Sequence, residues 1–318
     1  MSTSCPDCWS QLGGSWHGRL LRPEDDDHDG TDCEAGDLSK APITLLICLC
    51  GLVGNGAVLW FLSSHLRRSP ITIYVFSLAV ANSTFLLSVA IALVTFYSPG
   101  SLCDTRSSRD VMTLLNINIL LTFTAGVYLL AAFSAVTSLS VLLRAHYSCH
   151  HSCHHSWSFP VLICALLWVL SFLLTITLYF CPALLIVFVL SYFVSVLTLI
   201  LSGLTLLSRI LCCSWQYPPR MLCFVVLLIV FSFPFFTADF GYWLLLRLFD
   251  FSVFVFDPSL LLACVNSSIS PLIYFLAGSF RKKFTLSVGA AFQRTFEDVT
   301  EQPNRGETPA ENMVATAL

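Results

Sequence analysis

The feature that most constrains this chain is a succession of apolar runs, each long enough to cross a lipid bilayer and each closed by a short polar or charged join. They cover about 42–64, 70–97, 111–143, 158–180, 183–211 and 220–246. A last run ends in Asn266-Ser267-Ser268-Ile269-Ser270-Pro271-Leu272-Ile273-Tyr274-Phe275, followed by Leu276 to Phe284. Roughly 20 apolar residues suffice for a helix to span the hydrocarbon core, so the runs predict an all-α membrane protein built as a seven-helix bundle. Composition agrees. Of 318 residues, 56% are hydrophobic and 11% charged, and the mean hydropathy is +0.78, far too apolar for an ordinary soluble domain. Only Cys181 and Pro182 separate the fourth and fifth runs. Their combined length favours two crossings over a re-entrant hairpin.

Charge sets the expected orientation. Arg67, Arg68, Arg144, Arg209, Arg220, Arg281, Lys282 and Lys283 lie at one set of ends; Lys40, Arg106, Arg109 and Arg247 lie at the other. The richer side belongs in the cytoplasm. The chain is therefore expected to be multi-pass in the plasma membrane with its N-terminus outside. Three regions are expected: an acidic extracellular tail over 1–40, a membrane domain over 41–280, and a cytoplasmic tail with a short amphipathic helix over 281–318. The first region has no apolar core of a cleaved signal peptide and no N-x-S/T sequon. The net charge of −3 and the scattered basic residues offer no nucleic-acid-binding surface. No hydrolase triad, phosphate-binding glycine loop or membrane-embedded chain of acids points to an enzyme or pump, and no cofactor is implied.

Cysteines divide by position. Cys48, Cys50, Cys164, Cys223 and Cys264 fall inside apolar runs and are expected to act as small hydrophobes. Cys5, Cys8, Cys33, Cys103 and Cys181 fall outside or near that surface, where disulfides persist; their connectivity is not readable from sequence. Tyr147 to Ser156 carries Cys149/Cys153 and His150/His154 at i,i+4 spacing. That spacing suits zinc on a helix face, but the tract reads as a local duplication of Ser-Cys-His-His, and a solvated loop is the expectation. Cys212 and Cys213 at an inner membrane edge are candidates for S-palmitoylation.

Pro271 interrupts a membrane helix, which lipid tolerates only where neighbouring groups meet the freed backbone. Asn266, Ser267, Ser268 and Ser270 supply polar company, and Tyr274 stands near the inner end. This order resembles the final helix and amphipathic eighth helix of rhodopsin-like G-protein-coupled receptors. The longer string NSSxSPLIYFLAGSFR is similar to that of the Mas-related receptors. The resemblance covers about residues 40–300. It includes Gly54-Asn55 in the first run and Leu78-Ala79-Val80-Ala81-Asn82 in the second. It continues with Ala165 to Ser171 around Trp168, Arg209-Ile210-Leu211-Cys212-Cys213, the kinking Pro234, and Gln293-Arg294 in the tail.

Three positions depart from the family pattern. Asn82 stands where an aspartate usually helps to hold a sodium ion; it keeps the size, loses the charge, and is read as a polar residue facing the bundle. Ser270 replaces the asparagine of NPxxY. Val136-Thr137-Ser138 stands where relatives carry Glu-Arg-Cys, so the arginine that contacts the G protein is missing.

The resemblance implies an extracellular ligand, a heterotrimeric G protein as partner with weakened coupling, and membrane lipid as surroundings. The alternative is a receptor-like protein that does not signal and acts by pairing with another receptor. Candidate ligand-binding residues are Asn116, Asp239, Tyr242 and Trp243. An acid in the outer half of a membrane helix is costly unless it faces protein, water or a partner; Asp239 either meets a cationic peptide or amine, or pairs with Arg247.

Overall fold

In the computed structural model the described residues are 32–65, 70–97, 105–146, 158–213, 221–249 and 258–280, with 292 and 295; side chains near several helix ends, and those of 238, 239 and 241–249, are not among them. They form seven helices: α1 Asp32–His65, α2 Pro70–Tyr97, α3 Thr105–His146, α4 Ser158–Phe180, α5 Leu185–Cys213, α6 Met221–Phe249 and α7 Pro258–Phe280. Six are long and apolar enough to cross a membrane, while α6 contributes the apolar stretch Leu222–Thr237. Two helices overrun their apolar runs: α1 begins at Asp32 and α3 at Thr105.

Apart from α4 and α5, neighbours in sequence pack as neighbours in space, and α7 closes the ring on α1 and α6. α3 lies innermost, against α2, α4, α5 and α6. The join between α4 and α5 is Cys181 followed by a 3₁₀ turn, Pro182–Leu184, held by Cys181 N–H to the Thr177 carbonyl and Leu184 N–H to the Cys181 carbonyl. α4 packs on α2 and α3 and touches α5 little.

The packed interior has two apolar layers. One holds Tyr74, Phe133, Leu206, Val226, Phe233 and Tyr274. The other holds Cys48, Phe85, Ile119, Leu178, Phe240 and Cys264. Outward faces of α4 and α5 are apolar too, with Leu166, Phe172, Ile186, Phe193 and Leu204 exposed, as lipid-facing helices require. Because lipid offers no hydrogen bonds, hydroxyls turn back on their own helix. Thr84 donates to Val80 O, Thr198 to Val194 O and Thr205 to Leu201 O, each at 2.8 Å.

Candidate functional site

The polar machinery begins where α1 meets α7. Pro271 has no N–H, so the carbonyl of Ser267, four residues earlier, loses its helical partner. Asn55 supplies one: its Nδ2 donates to Ser267 O at 3.1 Å and to Gly51 O at 2.9 Å. Asn55 is buried. Ser268 Oγ adds bonds to Cys264 O at 2.8 Å and to Ile47 O across the seam at 3.2 Å. Such close approach needs a glycine. A Cβ on Gly51 would lie 2.1 Å from Ser268 Oγ, and one on Gly54 would lie 3.1 Å from Pro271 Cβ. The polar company read around Pro271 thus comes partly from another helix.

Between the two apolar layers lies a cavity of ≈ 20 Å³, with Asn82, Thr122, Asn266, Ser267 and Ser270 as its polar lining and Leu78, Phe85, Phe123, Leu130 and Phe233 among its apolar walls. It has room for a water molecule. Two departures from the family pattern, Asn82 and Ser270, therefore meet in one small chamber. A sodium ion at this position would find neutral groups and no carboxylate in the lining. A buried cation without a counter-charge is costly, so the donor set suits water.

Above the chamber, Phe123 of α3 gathers rings from three other helices. Phe240 of α6 meets it edge-on at 4.8 Å, Tyr192 of α5 stacks at 6.5 Å, and Phe85 of α2 lies tilted at 6.3 Å. Phe85 and Phe240 also meet edge-on at 5.9 Å. This aromatic hub was not singled out in the sequence, because 26 phenylalanines scatter through the chain and nothing local marks the few that converge.

Towards the N-terminal end of α3, Asn118 Nδ2 donates to Ser88 Oγ at 2.6 Å, tying α3 to α2. Asn116 is half-buried, and its Oδ1 is buried with no hydrogen-bond partner among the described residues. The other candidate ligand residues, Asp239, Tyr242 and Trp243, lie on α6, but their side chains fall outside the described residues.

At the other end of α3, the triplet is uncharged and inward-facing. Thr137 is 1% exposed, and its Oγ1 donates to Phe133 O at 2.8 Å. Ser138 Oγ donates to Ala135 O at 2.9 Å. Val136 is half-buried against the apolar interior. Both hydroxyls are taken up by their own helix and project no charge.

Elsewhere, Trp168 Nε1 donates to Ser77 Oγ at 3.0 Å, joining α4 to α2. Tyr128 and Ser191 share a 2.6 Å hydrogen bond between α3 and α5. Pro234 stands inside α6. Cys212 and Cys213 end α5 with side chains outside the described residues. The expected helix of the tail also falls there, apart from Phe292 and Thr295. Phe292 packs on Phe61 with centroids 5.8 Å apart, and Thr295 Oγ1 donates to Tyr274 O at 3.0 Å. Tyr274, expected near the inner end, is buried at that junction.

A ring of apolar helices around a polar seam, with an innermost third helix and a seventh that carries Pro271 within it, defines a multi-pass membrane protein of the seven-helix receptor class. Comparison with known proteins gives the family. The chain is 31% identical over 292 residues to Mas-related G-protein coupled receptor member B4 of Mus musculus, covering 85% of this chain and 87% of that receptor. It is 34% identical over 295 residues to member X2 of Homo sapiens, covering 85% and 86%. Against member D of Macaca fascicularis it is 32% identical over 303 residues, covering 88% and 91%. No protein-family model matches. The chain belongs to the Mas-related G-protein-coupled receptor family, whose members are plasma-membrane receptors rather than enzymes.

Proposed function

We propose that this chain receives an extracellular cationic ligand and couples only feebly to a heterotrimeric G protein. The observation that carries the reading is Thr137, buried, neutral and bonded to Phe133 O within its own helix. It occupies the place where the family pattern implies an arginine that pairs with acid at rest and meets the G protein when active. A hydroxyl cannot replace a planar guanidinium with five donors. Loss of one charged hydrogen-bond contact costs about 1.5–3 kcal/mol, which is roughly ten- to a hundredfold in an equilibrium. Nucleotide exchange on G proteins, measured in membranes expressing the native chain at verified surface levels, tests this. Weak exchange supports the reading, and exchange equal to that of a Val136→Glu, Thr137→Arg variant overturns it.

The ligand would enter between α3, α6 and α7, with Asn116, Asp239, Tyr242 and Trp243 as its contacts and Asp239 as counter-charge. Asp239→Asn should lower the response to an activating cation at unchanged surface level; collapse of expression would instead assign Asp239 to a structural pair with Arg247. The charge distribution supports an extracellular N-terminus, with 1–40 as outer tail, 41–280 as receptor domain and 281–318 as inner tail with a short amphipathic helix. An N-terminal epitope should stain on intact cells and a C-terminal one should not. Cys212 and Cys213 would carry palmitate at the inner edge of α5.

A second reading is favoured by the neutral triplet together with Asn82 and Ser270. The chain would not signal itself and would act by pairing with another receptor. Absence of exchange from the native chain, with altered exchange from a co-expressed receptor, would select it.

A further inference from the structure

We infer that Cys48 and Cys264 form a modification site: a buried dithiol that closes, on oxidation, into a disulfide stapling α1 to α7. The two residues are 216 positions apart, yet their sulfurs lie 3.7 Å from each other in a thiol–thiol contact. Both are 0% exposed. Cys48 sits seven residues into the span Ala41–Ser63 and Cys264 six residues into Pro258–Ala277, so the pair occupies matching depths. The seam around it is held close by Ser268 Oγ bonded to Ile47 O, and by Gly51, where no side chain fits.

A disulfide bond is ~2.05 Å long, so the sulfurs have only about 1.6 Å to close. Closure consumes both thiols and leaves no charge in the apolar layer, where a buried charge would be expensive. A neutral product is the one this setting accepts.

The burial selects the oxidant. Charged or bulky disulfides cannot reach two sulfurs without exposed surface; a small uncharged oxidant can, and hydrogen peroxide is of that class. One sulfur attacks a peroxide oxygen, giving a sulfenic acid and releasing one water. The second sulfur then attacks the sulfenic sulfur, forming the S–S bond and releasing the second water. Two thiols are thereby oxidised by two electrons, and the peroxide is reduced to two waters. Cys50, two residues along and exposed, faces away from the pair and is the internal control. The staple would fix α7 to α1 on the N-terminal side of Pro271 and leave the segment after the proline outside the constraint.

The test uses the full chain in cell membranes exposed to hydrogen peroxide. Remaining thiols are alkylated in denaturant, and the chain is digested without reductant and read by mass spectrometry. A linked peptide pair carrying Cys48 and Cys264 is expected to rise at least tenfold over untreated membranes and to vanish with dithiothreitol. Peroxide should also raise the heat-inactivation midpoint of the native chain and of Cys50→Ala, but not of Cys48→Ala. Recovery of Cys48 and Cys264 as separately alkylated peptides after peroxide, or of either linked to a different cysteine, overturns the inference from the native chain alone.

Discussion

The seam between α1 and α7 and the inner end of α3 both carry small polar residues at positions where the family has a motif, and the two use them in opposite ways. At the seam, Asn55 reaches across to the Ser267 carbonyl that Pro271 has freed, and Ser268 reaches back to Ile47. At the end of α3, among the described residues, the hydroxyls of Thr137 and Ser138 donate to Phe133 and Ala135 of their own helix. The first arrangement binds helices together; the second ends in itself. A polar group in lipid must find a partner, and what decides whether it shapes the bundle is whether that partner lies on another helix. The chain keeps polar contacts that bind its helices together, and the triplet at the end of α3 carries no charge.

Overpacking the seam should have the largest effect. Gly51→Leu puts a Cβ 2.1 Å from Ser268 Oγ and 2.7 Å from Leu86 Cδ1, a strain of about 3 kcal/mol or more. Most surface protein should be lost, as counted by an extracellular epitope. Gly56→Leu, where nothing lies within 4 Å, should leave surface level unchanged; equal loss from both would mean the seam is not the tight point.

Restoring charge at the other region comes next. Val136→Glu with Thr137→Arg should raise agonist-driven or basal nucleotide exchange by about tenfold or more, since it returns one charged contact. An unchanged rate would show that the inner end of α3 is not limiting.

Asn55→Ala removes the donor that Pro271 makes necessary. The stranded Ser267 carbonyl should cost about 1–3 kcal/mol, read as a lower denaturation midpoint of the purified receptor. A midpoint within error of the native protein would mean that water or a neighbour takes over the carbonyl.

The smallest effect is expected at the α4–α2 contact. Trp168→Phe keeps the ring and deletes one hydrogen bond to Ser77. Interhelical bonds of this kind average about 0.6 kcal/mol in a membrane protein, so the midpoint should fall only slightly. A drop as large as that of Asn55→Ala would place Trp168 among the seam-like contacts.

Much of this site was legible as residue types. The proline in the last apolar run announced a freed carbonyl, and Gly54-Asn55 announced a polar residue on a close-packing helix. That the two statements answer each other across 212 residues was not legible, because the donor and the acceptor share no local pattern. Asn82 and Ser270 were read as separate losses, of a charge and of an amide; they face one neutral cavity. Cys48 and Cys264 were read as small hydrophobes, which their burial supports, but their contact is a fact of helix packing alone.

What the sequence determined by itself was the solvent and the element. Seven apolar runs of spanning length force helices in lipid, because only a helix satisfies a spanning segment's backbone from within, and basic residues at alternate ends bias its orientation. The neutral residue at Thr137 was also visible there, since a charge is present or absent whatever the fold. Only the tertiary structure decided which polar groups meet. The ring order of the helices brings α7 back against α1, and that return, set by packing of small residues rather than by any stretch of sequence, creates the Asn55–Ser267 bond and the buried cysteine pair; the neutral chamber forms where α7 meets α2, α3 and α6.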